Sequence, residues 1–158
     1  MITAEALRKA FNYDPATGKL TWRESGREAG AKAHSGYRRV GLHYHDYWAH
    51  RIIWAWWHGD WPEGVIDHID QDGSNNRIEN LRTTNRSGNA KNMRRSIANK
   101  SGVTGVCFCN RTKTWIVQIK DGGVRHHLGY FKDFDAAVAS RKMAECEFGY
   151  SKHHGSPA

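Results

Sequence analysis

The chain has 158 residues, a formal net charge of +8 and a pI of about 9.6; that length suits one domain or two small ones, burying roughly 70% of the unfolded surface. The charge favours a polyanionic partner, unless the excess cations only keep a face solvated. Three cysteines, Cys107, Cys109 and Cys146, form no CxxC pair, which excludes a disulfide framework and fits a reducing cytoplasm; with no apolar run long enough for a bilayer and no signal-peptide core, no membrane partner is expected.

In chain order, residues 1–12 predict a short helix capped by Thr3, with Leu7, Ala10 and Phe11 on one face. Pro15 and Gly18 mark a turn before a strand at Leu20 to Arg23. Small and polar residues from Ser25 to Gly36 read as a loop, and alternation around His43 to Asp46 as a hairpin. A helix follows over Ala49 to His58. Five of the seven tryptophans lie between Trp48 and Trp61; large rings in a core account for them, and a base-stacking surface is the other reading. After the turn WPEG, Val65 and Ile66 open a strand, the polar loop IDQDGSNN returns the chain to Arg77–Arg82, and Thr84 or Asn85 can cap a helix carrying Asn89.

The stretch VIDHIDQDGSNNRIENLRTTNRSGN, Val65 to Asn89, sets Asp67 beside His68, then Asn80, then Asn89. A carboxylate is acceptor-only, an imidazole loses its proton near neutral pH, and amides donate and accept. Such a set can hold one hard cation and activate one water. With its upstream flank AHRIIWAWW, the stretch resembles the HNH nuclease motif in the version common in phage and intron-encoded homing endonucleases. The resemblance implies a ββα-metal fold in the order strand, loop, strand, helix. It implies His68 as general base, with Asn80 tying the loop and orienting His68. Asp67 and Asn89 would be oxygen ligands of one Mg²⁺ or Mn²⁺, and the products would be a 3′-hydroxyl and a 5′-phosphate. His50 and Arg51 match the family's His-Arg pair, for a structural or phosphate-contacting role. Bland readings exist for the same residues: an Asp-His surface pair, and asparagines that cap turns. Asp70, Asp72 and Asn75 or Asn76 suggest a calcium loop, but no Glu stands at position twelve from Asp67 or Asp70. Zinc is not expected: the chain lacks the CxxC of the zinc-bound HNH branch, and Cys107 and Cys109 in a strand complete no tetrahedral set.

From Leu81 to Lys100 there are six cations and no acid, either a solvated linker or a segment that tracks a phosphate backbone. Arg82, Arg86, Lys91, Arg94 and Arg95 are its candidate DNA contacts. Beyond it, Val106 to Cys109, Trp115 to Lys120 and Arg125 to Phe131 predict three strands joined by NRTK and DGG turns. Asp133 caps a helix that presents Ala136, Ala137, Ser140, Met143 and Ala144 and ends at Gly149. The pattern SGVTGV, Trp115, LGYF and the alanine pair resembles the Apetala-two DNA-binding domain of plant ethylene-response factors. That resemblance implies an open sheet face in the major groove, with Arg111, Gln118, Lys120, Arg125 and His127 as contacts. Cys107 and Cys109 depart from it, standing where the plant domains carry arginines.

The expected fold class is thus α+β. An HNH nuclease domain over residues 1–90 and a basic linker over 91–99 lead to an Apetala-two-like module over 100–150 and a disordered tail over 151–158. The function expected is a metal-dependent DNA endonuclease, a phage homing enzyme acting on double-stranded DNA in the cytoplasm of a bacterial host. The sequence leaves its oligomeric state open, a monomer being favoured, and no small-molecule substrate is expected. A DNA-binding regulator on an inactive HNH scaffold is the alternative from another class, and RNA as substrate comes third.

Overall fold

Thr3 accepts a hydrogen bond from the Ala6 N–H at 3.2 Å, satisfying a donor that no carbonyl inside the helix can reach. Helix α1 (Ala4–Ala10) is shorter than the sequence suggests, because Phe11 already belongs to strand β1. The computed structural model describes residues 2–34 and 36–157, which fall into two compact units, Met1–Asn85 and Arg86–Ala158. The architecture is mixed helix and sheet, and among the described residues no helix is long and apolar enough to cross a membrane.

In the first unit β1 (Phe11–Asp14) and β2 (Lys19–Trp22) form an antiparallel hairpin. The expected loop over 25–36 contains a short strand, β3 (Ala31–Lys32), on the edge of a sheet with β4 (Arg38–Leu42) and β5 (His45–Trp48). Helix α2 (Ala49–His58) starts and ends where predicted, and Gly59 closes it in the left-handed region with its N–H on the Ala55 carbonyl. Its inner face, Ala49, Ile52, Ile53 and Ala55, joins Leu7, Phe11, Leu20 and Val40 in the core. The tryptophans do not make that core. Trp54, Trp56 and Trp61 lie half-buried at its rim, while Trp48 and Trp57 are exposed. An indole N–H needs a partner when it leaves water. Trp56 gives its own to the Phe11 carbonyl at 3.2 Å, and Trp61 to the Ile2 carbonyl at 2.6 Å, which holds both rings at the edge. The unit closes with β6 (Val65–His68) paired antiparallel to β7 (Leu81–Thr84), β7 being entered through a 3₁₀ turn at Ile78–Asn80.

The second unit begins with α3 (Arg86–Ala90), a single five-residue turn of helix. Strands β8 (Val106–Cys109), β9 (Thr114–Asp121) and β10 (Val124–Phe131) form an antiparallel sheet with β9 in the centre. Helix α4 (Phe134–Glu147) is capped by Asp133, whose carboxylate accepts from the Ala136 N–H at 2.8 Å. Its buried face is Ala137, Arg141, Ala144 and Glu145; Ala136 and Met143, expected inward, are exposed. The reason lies at the strand edge. β9 runs past the end of β8, which leaves edge carbonyls in need of donors. Arg141 supplies one to Gln118 O at 2.7 Å while pairing with Glu145 at 2.9 Å, and the Tyr150 hydroxyl supplies one to Lys120 O.

The stretches expected to be a basic linker and a disordered tail make contacts within this unit. Lys91 is bound to Asp121 at 2.6 Å and to the Phe148 carbonyl at 2.7 Å, and Asn92 is buried. The tail folds back onto the same stretch: Ser151 N donates to Lys91 O and Gly155 N to Met93 O, both at 3.0 Å, and His154 is buried. Ala158, the last residue of that expected tail, lies outside the described residues.

Candidate active site

Strand pairing sets the chemistry of β6. Asp67 lies opposite Arg82 and His68 opposite Leu81. The Arg82 Nε and Nη2 both reach Asp67 Oδ2, at 2.9 and 2.8 Å, around a carboxylate that is otherwise buried. Arg82, expected among the DNA contacts, is therefore the charge partner of Asp67, and its position across the ladder explains why.

The loop after β6 is organised by one carboxylate. Asp70 Oδ1 accepts from the Asp72 N–H at 2.8 Å and from Asn80 Nδ2 at 2.9 Å, and Oδ2 accepts from Asn75 Nδ2 at 2.7 Å. Burial alone would raise the Asp70 pKa, but these donors together hold it below the usual carboxylate range. Asn80 also donates to the Asn75 carbonyl at 2.8 Å and accepts from the Asp70 N–H at 3.0 Å. Its side chain thus ties the loop through three hydrogen bonds, but the residue at the His68 ring is Asn76, whose Oδ1 lies 3.0 Å from His68 Nε2.

His68 is 3% exposed. Tyr37 lies 5.5 Å from its ring and His50 lies 5.2 Å from it, edge on; Trp48 stacks parallel to His50 at 6.4 Å. Burial first, then the neighbouring His68 and Arg51, push the His50 imidazole down to about 3, so it stays neutral through the physiological range. Arg51 donates to the carbonyls of Gly64 and Pro62, at 3.0 and 3.1 Å, which pins the turn leading into β6. Of the two roles implied for the His50-Arg51 pair, the structural one is what these contacts serve.

Three side chains at this site carried no obvious signal in the sequence. Asn76 sits in a doublet that looked like turn chemistry. Tyr37 immediately precedes β4, and its sequence distance from His68 hides the contact. Tyr13 comes from β1, and its hydroxyl donates to the Asn76 carbonyl at 3.0 Å. Asn89, the expected second oxygen donor, lies half-buried on α3 in the second unit.

The remaining expected DNA contacts all belong to the second unit. Lys120 lies opposite Arg125, and Gln118 opposite His127, so these four share the sheet face turned away from Val117 and Ile119. Arg86, Arg94, Gln118, Lys120 and Arg125 line one cleft of about 660 Å³. Arg111 is exposed on the β8–β9 turn. Lys91 and Arg95 are different: the Lys91 ammonium is held by Asp121, and the Arg95 guanidinium by the Gly102 carbonyl, so both tie the unit together.

Comparison with known proteins places these observations. No solved structure matches the chain. Protein 3.8 of Escherichia phage T7 is 30% identical over 80 residues, and the match covers 50% of this chain and 66% of that protein. Residues 47–91, which hold Asp67, His68, Asn76, Asn80 and Asn89, match the family described as HNH endonuclease.

Proposed function

We propose that the chain is a divalent-metal-dependent HNH DNA endonuclease that hydrolyses phosphodiester bonds to a 3′-hydroxyl and a 5′-phosphate. The single observation that carries this is the HNH endonuclease match over residues 47–91, centred on an imidazole that the fold buries and orients. His68 takes the proton from the attacking water, and Asn80 keeps the loop beside it closed. Asp67 fits a hard cation by its donor chemistry: one carboxylate suffices for an ion that keeps most of its shell as water and phosphate oxygen. Asp67 would hold Mg²⁺ or Mn²⁺, which when bound neutralises charge on the phosphate. The Arg82 guanidinium beside Asp67 fixes the carboxylate in place.

The second unit supplies the DNA-reading surface on this proposal. Support comes from the cross-strand pairs Lys120–Arg125 and Gln118–His127 on the face opposite α4, and from the cationic cleft beside them. A module of this size buries about 600–1,000 Å² against a duplex. The phage relative supports a phage setting; within it, the role proposed is that of a homing enzyme working in a bacterial host's cytoplasm.

One observation favours a second reading, a DNA-binding regulator on an inactive scaffold. Both Arg82 contacts fall on a single oxygen of Asp67, which a cation would otherwise use. Incubation with supercoiled plasmid, with Mg²⁺ and with EDTA, separates the two. The nuclease reading expects Mg²⁺-dependent nicked or linear product bearing a 5′-phosphate. DNA retained in complexes but left uncut under every metal tried would establish the regulator.

A further inference from the structure

We infer that Asn76 is the positioning residue that sets the tautomer of His68, and that hairpin β1–β2, which lies outside the HNH-matched residues, holds Asn76 in place. The inference rests on the reading of His68 as the base and adds to it the part of the protein that makes the base usable.

A neutral imidazole has one N–H and one lone pair, and its hydrogen-bond partners decide which nitrogen carries which. Asn76 Oδ1 stands 3.0 Å from His68 Nε2, and a carbonyl oxygen can only accept. Nε2 must then carry the proton, which leaves the lone pair that abstracts a proton on Nδ1. The amide is 5% exposed, so water cannot readily replace it as a partner.

Three contacts fix the backbone that presents Asn76. The Tyr13 hydroxyl donates to the Asn76 carbonyl at 3.0 Å. Arg77 Nε donates to the Ala16 carbonyl at 2.6 Å. Gly18, at φ +74°, lies so close that a Cβ there would meet Arg77 N at 2.6 Å and the Asn76 carbonyl carbon at 2.7 Å. Burial and nearby carboxylates raise the Tyr13 pKa, so its hydroxyl remains a donor across the working range. The turn between β1 and β2 is thus moulded onto the two residues whose first member holds His68. A hairpin needed only for stability would not have to meet the loop at this one peptide through three separate groups.

The experiment is nitrogen NMR of the full-length protein with ¹⁵N-labelled histidine, without DNA or metal, at a pH where the ring is neutral. The wild type should show a pyrrole-type Nε2 and a pyridine-type Nδ1 for His68. Asn76→Ala should mix the two tautomers, whereas Asn76→Asp, which keeps an accepting oxygen in place, should retain the wild-type pattern. Tyr13→Phe, which removes one oxygen atom, should shift the pattern part of the way without unfolding the unit. In cleavage assays Asn76→Ala should lower kcat about 10–100-fold with KM unchanged, the size expected when an orienting partner is lost, and Asn76→Asp should recover most of it. A pyrrole-type Nδ1 in the wild type, or a pattern that Asn76→Ala leaves unchanged, would overturn the inference. Because the NMR arm needs no catalysis, wild-type protein that shows the expected tautomer yet cuts nothing would refute the nuclease reading and leave the positioning role standing.

Discussion

His68 sits under Tyr37 and beside His50, and this crowding makes its surroundings testable one side chain at a time. Tyr37 also packs on the loop after β6, since a Cβ at Gly73 would lie 2.9 Å from its ring. Tyr37→Ala should therefore uncover His68, and labelling by diethyl pyrocarbonate followed by mass spectrometry should show faster modification of His68 than in the wild type. Equal rates would mean that other groups cover the ring. His50 gives a pH prediction with a definite sign. Its folded pKa of about 3 is below the ordinary 6.5, so the neutral form stabilises the fold above the unfolded pKa, and that stability is lost as pH falls towards the folded one. Urea midpoints should drop between about pH 7 and about pH 4, and His50→Gln should drop less across that interval. An identical drop in both proteins would place the acid sensitivity elsewhere.

The elements divide between those visible in the chain and those set by distant partners. Helix α2 over Ala49–His58 and strand β8 over Val106–Cys109 fall where local pattern put them, because periodicity and flanking turn residues act over a few positions. The inward face of α4 did not follow from apolar spacing. Arg141 turns inward to reach a β9 carbonyl, and nothing in local hydropathy announces a strand that outruns its neighbour. Within the candidate site, Asp67, His68 and Asn80 could be read from the motif, whereas Asn76 as the partner of His68, Tyr13 as its support and Arg82 as the partner of Asp67 needed the loop closed and the ladder paired. The same division yields a prediction for the second unit. Trp115 lies between Phe108 and Phe134, at ring distances of 5.0 and 4.6 Å. Trp115→Ala should cost about 3 kcal/mol and unfold a sheet with so small a core, while Arg125→Ala, on the open face, should leave the melting transition in place and weaken DNA binding. Loss of folding in the arginine variant would assign it to the scaffold.

Taken together, the two units predict a division of labour between cutting and holding. The second unit includes its own basic stretch and the folded-back tail, so residues 86–158 should fold as a fragment where a fragment starting at residue 98 should not. The longer fragment should bind duplex DNA with an affinity that falls by about 0.9 log units per log salt for each phosphate neutralised. A folded fragment with no affinity for DNA would remove the second unit from substrate binding. The central claim is that His68 in the HNH-matched stretch is a general base, and single-turnover cleavage of plasmid DNA with Mg²⁺ by the wild type and by His68→Ala tests it most directly, with binding measured in parallel. The account predicts cutting by the wild type, a rate about 10²–10⁴-fold lower in the variant, and equal DNA affinity in both. Cleavage by His68→Ala at the wild-type rate would contradict it.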